Sequence, residues 1–160
     1  MEGIITLFKE WEAKHVNYDT RLAGAAVYAY LSQNMDDEAM SIFEKALNRC
    51  RGPFFRIQEM FMVYLLEKCQ LNGAMSHLEA ALSEVGDYKY RPSPQVVSAF
   101  LKYYEEETDL NGVDELSKIL RSRKFDESYI ETCITASESS PGIHQVLKED
   151  SDVDLAHENL

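Results

Sequence analysis

The sequence contains few residues that cross-link or interrupt a chain. Among its 160 residues are only four prolines, seven glycines and three cysteines. The cysteines, Cys50, Cys69 and Cys133, are an odd number without close spacing, which argues against a disulfide scaffold and favours free, buried thiols in a reducing compartment. No apolar run approaches the roughly 20 residues that a membrane-spanning helix needs, so we expect no membrane association.

Sequence motifs for catalysis and for cofactor binding are also missing. The chain has no glycine-rich phosphate loop, no dinucleotide fingerprint and no nucleophile-elbow sequence. Neighbouring carboxylates such as Glu105 and Glu106 point in different directions on a helix, so they do not form an acid–base pair. The histidines are isolated, without the spacing of a metal site: His15, His77, His144 and His157. We therefore expect neither an enzyme nor a cofactor, a metal or a small-molecule substrate.

Basic residues are outnumbered by acidic ones, 16 to 28, which gives a formal net charge of −12. Such acidity normally argues against nucleic-acid binding, because phosphate neutralisation by lysine and arginine supplies most of the affinity. The acids are concentrated late in the chain, where residues 126–160 contain nine of them and a single base, Lys148. The body before this stretch is only weakly acidic, so its charge still permits a nucleic-acid ligand.

The sequence repeats itself at an offset of 35 residues. Residues 37–43 align with residues 72–78, and Phe8, Phe43 and Leu78 fall in register. A third copy begins near Asn111 at an offset of 39, and we place its four extra residues in a loop at 86–94. A fixed period of this length is the signature of helical-repeat proteins.

Each period has the pattern of two amphipathic helices. The apolar positions of one helix follow the spacing i, i+3, i+4, i+7 and i+8: Ala39, Ile42, Phe43, Ala46 and Leu47. The same spacing predicts helices at 22–31, 57–69, 73–84, 95–107 and 113–120. Asn72 and Asn111 are predicted helix N-caps, and Pro53 and Pro94 lie beside predicted helix starts. Weaker signals follow at 128–136 and 143–148, before a solvated acidic tail.

Several segments resemble the pentatricopeptide repeat. The turn and helix start at residues 36–44 (DDEAMSIFE) carry the resemblance, together with FKEWEA at 8–13, DTRL at 19–22 and YAYL at 28–31. A period of 35 favours this family over tetratricopeptide repeats, which share the architecture with a period of 34. The resemblance covers residues 1–123 and is to plant P-class members of mitochondria.

The resemblance implies a fold, a ligand and a compartment. The fold is all-α, a right-handed α-α superhelix (solenoid) of about three to four helical hairpin repeats. We assign residues 1–136 to this repeat domain and residues 137–160 to an atypical capping helix and acidic C-terminal tail. The implied ligand is single-stranded RNA, read at about one base per repeat. The implied compartment is the mitochondrion, although no targeting segment is visible, so a cytoplasmic location is the alternative.

The resemblance also implies which side chains face the bases. Counting from Arg21, the base-facing positions of the first helices are Gly24, Glu59 and Ser98. Of these, only Ser98 is a residue type that the family uses to read bases. The partner position at the first repeat junction is Phe54, which departs from the family pattern.

Two basic groups and several tyrosines complete the candidate binding residues. Arg49, Arg51 and Arg56 surround the first repeat junction, and a second group follows the third repeat: Arg121, Arg123 and Lys124. Both groups follow second helices, so they either meet phosphate oxygens or compensate the helix dipoles. Tyr88 and Tyr90 lie in the inserted loop, where a ring can stack on a base or anchor a protein.

Two functions are compatible with these features. The first is a non-catalytic module that binds single-stranded RNA in organelle gene expression through a concave surface and its arginines. The second is a protein–protein interaction scaffold of the same architecture without direct RNA reading. The net acidity, the departures of Gly24, Glu59 and Phe54 from the base-reading residue types and the exposed tyrosines favour the scaffold, whereas the family resemblance favours RNA.

Overall fold

A computed structural model describes residues 2–84, 90–122 and 128–129. Residues 2–122 of this described part form seven α-helices and no strand. The helices are α1 (Glu2–Lys14), α2 (Thr20–Leu31), α3 (Asp36–Arg49), α4 (Phe55–Glu67), α5 (Leu71–Ser83), α6 (Pro94–Glu106) and α7 (Leu110–Ser122). The predicted all-α fold of helical hairpins is therefore confirmed. None of the described helices is long and apolar enough to cross a membrane.

The starts of the helices reproduce the period found in the sequence. The helices α2, α4 and α6 begin at Thr20, Phe55 and Pro94, which lie 35 and 39 residues apart. The second helices begin at Asp36, Leu71 and Leu110, with the same two offsets. The extra residues of the longer period fall between α5 and α6, where the sequence places its inserted loop.

The turn between the helices of each hairpin is built in the same way three times. One residue at the end of the first helix has positive φ: Asn34 at 56°, Cys69 at 56° and Thr108 at 57°. The next amide N–H donates back to a carbonyl five residues earlier, from Met35 to Tyr30, from Gln70 to Leu65 and from Asp109 to Tyr104. This is the left-handed C-cap that satisfies the last carbonyls of a helix.

Asparagine suits this left-handed position better than threonine does. Asn and Asp adopt positive φ more readily than other non-glycine residues, whereas a β-branched residue is strained there. Because Thr108 is exposed, exchanging its side chain costs little packing. We expect Thr108→Asn to raise the free energy of unfolding by about 0.5–1 kcal/mol, measured by urea denaturation. The reverse exchange Asn34→Thr is the matched control and should lower it; equal values for both variants would contradict this account.

The predicted N-caps Asn72 and Asn111 are wrong, because each lies at the second residue of its helix. In α7 the capping oxygen comes instead from Asp109, whose carboxylate accepts from the backbone N–H of Gly112 at 3.0 Å. Asp19 caps α2 through the amides of Arg21 and Leu22, and Ser93 caps α6 through that of Val96. Pro94 occupies the first turn of α6, as predicted.

The described residues fall into two compact units. The first comprises the described residues of Met1–Phe61 and Met75–Tyr90. Its core includes α2, with Ala23, Ala26 and Val27 fully buried, and larger side chains from the other helices: Phe8, Phe43, Ile57, Phe61 and Leu78. Four of the five predicted core positions of α3 are buried, but Leu47 is 46% exposed, so its assignment to the core is wrong.

The second unit comprises the described residues of Met62–Ala74 and Arg91–Leu160. Its buried residues include Met62, Val96, Val97, Phe100, Tyr104, Leu116 and Leu120. Within it, a Cβ added at Gly112 would overlap the buried ring of Tyr104, so glycine lets the start of α7 approach the end of α6 closely. Cys69 is exposed, which corrects the expectation of a buried thiol.

Nearly all of the predicted C-terminal elements lie outside the described residues. This holds for the helix at 143–148 and the acidic tail, and for all but Ser128 and Tyr129 of the helix at 128–136. The proposed boundary between residues 136 and 137 falls in the same stretch and stays a prediction.

Candidate binding surface

Arg49 is anchored at the C-terminal end of α3 by an aromatic ring. Its guanidinium carbon lies 5.2 Å from the ring centroid of Tyr18. The Tyr18 hydroxyl donates to Glu12, and the same carboxylate accepts from Lys45 Nζ at 2.8 Å. Burial and the Glu12 carboxylate both raise the pKa of Tyr18. Burial alone would also raise the pKa of Glu12, but the hydrogen bonds from Lys45 and Tyr18 outweigh it, so the pKa of Glu12 is lowered. Around neutral pH the Tyr18 ring under Arg49 therefore stays neutral, and the Glu12 carboxylate that holds its hydroxyl stays ionised.

The chain turns from α3 into α4 at the segment that contains Arg51. Arg51 is exposed, and Arg56, the second residue of α4, is half-buried. The turn is held by Glu84, whose carboxylate accepts from the backbone N–H of Phe54 at 3.1 Å. A carboxylate at this place also complements the positive end of the α4 dipole. No local sequence pattern predicts the role of Glu84, because it lies 30 residues from Phe54 along the chain.

Glu59 and Tyr90, two of the predicted binding residues, are in direct contact. The Tyr90 hydroxyl donates to Glu59 Oε1 at 2.9 Å. The Tyr90 ring stacks on Phe55, with centroids 4.8 Å apart and planes inclined by 27°. Glu59 is only 8% exposed. Phe55, the ring that completes this group, was not among the residues predicted from the sequence.

The remaining predicted residues lie on other helices or outside the described residues. Ser98 lies on α6 in the second unit and is 1% exposed, and Gly24 on α2 is buried as well. Arg121 is exposed in the last turn of α7. Tyr88, Arg123 and Lys124 lie outside the described residues. An additional cation that sequence analysis missed, Arg91, lies 4.5 Å from the ring centroid of Tyr129.

His77 has a packing role. Its ring stacks on Phe61 with centroids 4.8 Å apart, and Nδ1 lies 2.5 Å from Gln58 Oε1. Burial lowers the pKa of His77, which keeps the ring neutral at pH 7 with the nitrogen proton available to Gln58. Among the residues that the structure covers, no three His, Cys, Asp or Glu side chains form a group that could hold a metal ion.

Three successive hairpins with one turn geometry, 35 and 39 residues apart, define an all-α helical-repeat protein. The chain is similar to two mitochondrial pentatricopeptide repeat-containing proteins of Arabidopsis thaliana, At1g02370 and At4g01990, with 35% and 32% identity, each across 93% of this chain. It is also 31% identical, across its whole length, to the large ribosomal subunit protein mL101 (rPPR4) of the same plant. The chain belongs to the pentatricopeptide-repeat family.

The chain spans only 29%, 30% and 34% of the lengths of these three relatives. No family model matches the sequence, and no solved structure matches it either. The family is therefore established by the curated relatives and by the repeat geometry together.

Proposed function

We propose that this chain is a non-catalytic binding segment of a plant mitochondrial gene-expression protein and that it contacts single-stranded RNA. The observation that carries the proposal is the group of Arg49, Arg51 and Arg56 where α3 leads into α4. Two of these side chains are exposed, and Arg49 is held in place by the Tyr18 ring. A guanidinium group fixed in this way suits phosphate oxygens, which it can bind in a bidentate manner.

The proposed contact is mainly to the RNA backbone. The candidate base-reading residues Glu59 and Ser98 are buried, and Glu59 accepts a hydrogen bond from Tyr90. Side chains in this state do not present their polar atoms to a passing base. Affinity in this mode comes from counterion release and depends little on sequence.

The proposal is tested by measuring the affinity of the purified chain for a mixed pool of single-stranded RNA at several salt concentrations. Each phosphate neutralised on a single strand contributes about 0.7 to the slope of log affinity against log salt, so three arginines predict a slope near −2. Single-stranded DNA of the same length is the control for the contribution of the 2′-hydroxyl. An affinity that is absent at low salt, or that salt does not change, contradicts the proposal.

A second candidate function is docking onto protein in a larger assembly. It is supported by the net charge of −12 and by the similarity to mL101, which is named as a protein of the large ribosomal subunit. In this case the arginines bind acidic side chains of a partner instead of phosphates. Failure to bind RNA at low salt, with the fold intact by circular dichroism, is the outcome that favours it.

A further inference from the structure

Trp11, the only tryptophan of the chain, supports a second ring at the surface of the first unit. The imidazole of His15 stacks on the indole of Trp11, with centroids 5.1 Å apart and planes inclined by 14°. The indole is half-buried, and its centroid lies 5.7 Å from the ring centroids of both Phe8 and Tyr18. His15 is exposed, so the outer face of its imidazole continues the aromatic stack into solvent.

The orientation of the His15 ring is set by the backbone. Its Nδ1 lies 2.8 Å from the carbonyl oxygen of Trp11, and this contact places the proton of the neutral ring on Nδ1. A stacked pair one helical turn apart also stabilises the end of a helix, so the pair alone does not indicate a ligand. It does provide a flat ring that is ordered before any ligand arrives, which lowers the entropic cost of stacking on it.

The same aromatic cluster holds a cation, and this cation points to a nucleic-acid ligand. Tyr18, which contacts Trp11, also carries Arg49, whose guanidinium carbon lies 5.2 Å from the Tyr18 ring centroid. Arg49 is exposed. The carboxylate of the cluster, Glu12, is already paired with Lys45 Nζ at 2.8 Å. An open aromatic face and a fixed guanidinium therefore belong to one cluster, and proteins bind single-stranded nucleic acid with this combination of groups.

We propose that the outer face of His15 is a stacking platform for one base of the single-stranded RNA whose backbone Arg49 contacts. The inference rests on the proposed RNA function and adds one base contact to it. The platform lies just after α1, and not on α2, α4 or α6, which carry the predicted base-facing positions. Every base presents a π-face, and histidine is one of the side chains on which unstacked RNA bases lie. The platform therefore adds affinity without reading sequence.

The test compares the affinities of the full chain and its variants for two strands of equal length. One is a uridine-rich RNA oligonucleotide, and the other consists of abasic tetrahydrofuran phosphate units, which keep the phosphates and lack the bases. We expect His15→Ala to bind the RNA about tenfold more weakly, as the loss of one stacked base predicts, and to bind the abasic strand like the wild type. His15→Tyr keeps a ring at the surface and should retain the RNA affinity. Val16→Ala is the matched control, because Val16 is the next residue and is 88% exposed, and it should change neither affinity.

A second measurement uses the wild-type chain without any substitution. Trp11 is the only tryptophan, so the tryptophan fluorescence of the chain reports on the ring that is stacked against it. A saturating amount of the RNA should change the intensity of this fluorescence, and a saturating amount of the abasic strand should leave it in place. Equal changes with both strands, or no change with either, contradict the platform even if His15→Ala disturbs the end of α1.

The outcomes separate the platform from the RNA function. Salt-dependent RNA binding that His15→Ala leaves unchanged overturns the platform and leaves the proposed function standing. A loss that is equal for the RNA and the abasic strand also overturns the platform, because His15 then acts only by holding the end of α1. A wild-type chain that binds neither strand at low salt overturns both the platform and the RNA function.

Discussion

Replacing Phe61 by alanine should lower the free energy of unfolding by about 3–5 kcal/mol. Phe61 is 1% exposed and is surrounded by aromatic rings, with centroid distances of 4.8 Å to His77 and 5.6 Å to Phe43. Truncation removes these contacts and leaves a cavity where the three rings meet, and the neighbouring helices can close it only in part. A loss of this size is a large part of the stability of an ordinary domain, so the variant is expected to be partly unfolded at 37 °C.

The expected loss is measured by urea denaturation followed by circular dichroism. Phe61→Leu, which keeps most of the apolar volume, should cost clearly less. Leu47→Ala is the matched surface control, because Leu47 is apolar and helical but 46% exposed, and it should cost less than about 1 kcal/mol. Similar losses for Phe61→Ala and Leu47→Ala would contradict the packing described for the first unit.

The second large effect is expected on RNA affinity when Arg49, Arg51 and Arg56 are together replaced by glutamate. Three favourable phosphate contacts become three repulsive ones, and we expect the affinity at low salt to fall by about 100-fold or more. The slope of log affinity against log salt should lose about two units, since roughly 0.7 is contributed by each contact on a single strand. The measurement is fluorescence anisotropy with labelled single-stranded RNA across a salt series.

A charge-matched control separates local contact from overall electrostatics. Replacing Lys9, Lys102 and Lys118 by glutamate changes the net charge by the same amount at exposed positions on α1, α6 and α7. This variant should retain most of the affinity, because the proposal places the phosphate contacts on the arginines, and salt largely screens exposed charges that make no direct contact. Equal losses of RNA affinity in the two triple variants would mean that the overall charge of the protein, and not local contact by the arginines, determines the affinity.

The helices were predictable because their apolar residues recur with a period that only a helix explains. The predicted starts of the helices lie within three residues of the observed ones, as with residue 22 against Thr20 and residue 113 against Leu110. The differences between predicted and observed starts fall in the first turn of each helix. The apolar pattern marks only the residues of a helix that pack against other helices, so it does not show where the helix begins. The turns were not predictable, because Asn34, Cys69 and Thr108 share a backbone conformation without sharing any side-chain property.

The candidate site was predictable only where its residues are close in sequence. The arginines around the first repeat junction were found because they form a short basic cluster. The Glu84 contact with Phe54 and the Tyr90 contact with Glu59 join residues about 30 positions apart. Their partners depend on how the hairpins pack, and no local pattern specifies them. Burial of Ser98 was missed for the same reason, since this predicted base-facing residue lies on α6 among the buried residues Val97 and Phe100.

The most direct test of RNA contact at the α3–α4 junction is photo-cross-linking of the full chain to single-stranded RNA that carries 4-thiouridine, with the cross-linked peptides identified by mass spectrometry. We predict cross-links in the peptides that contain Arg49, Arg51 and Arg56, lost in the triple glutamate variant and retained in the charge-matched control. Cross-links confined to α1 or α7, or none above the unirradiated background, would contradict the proposed contact.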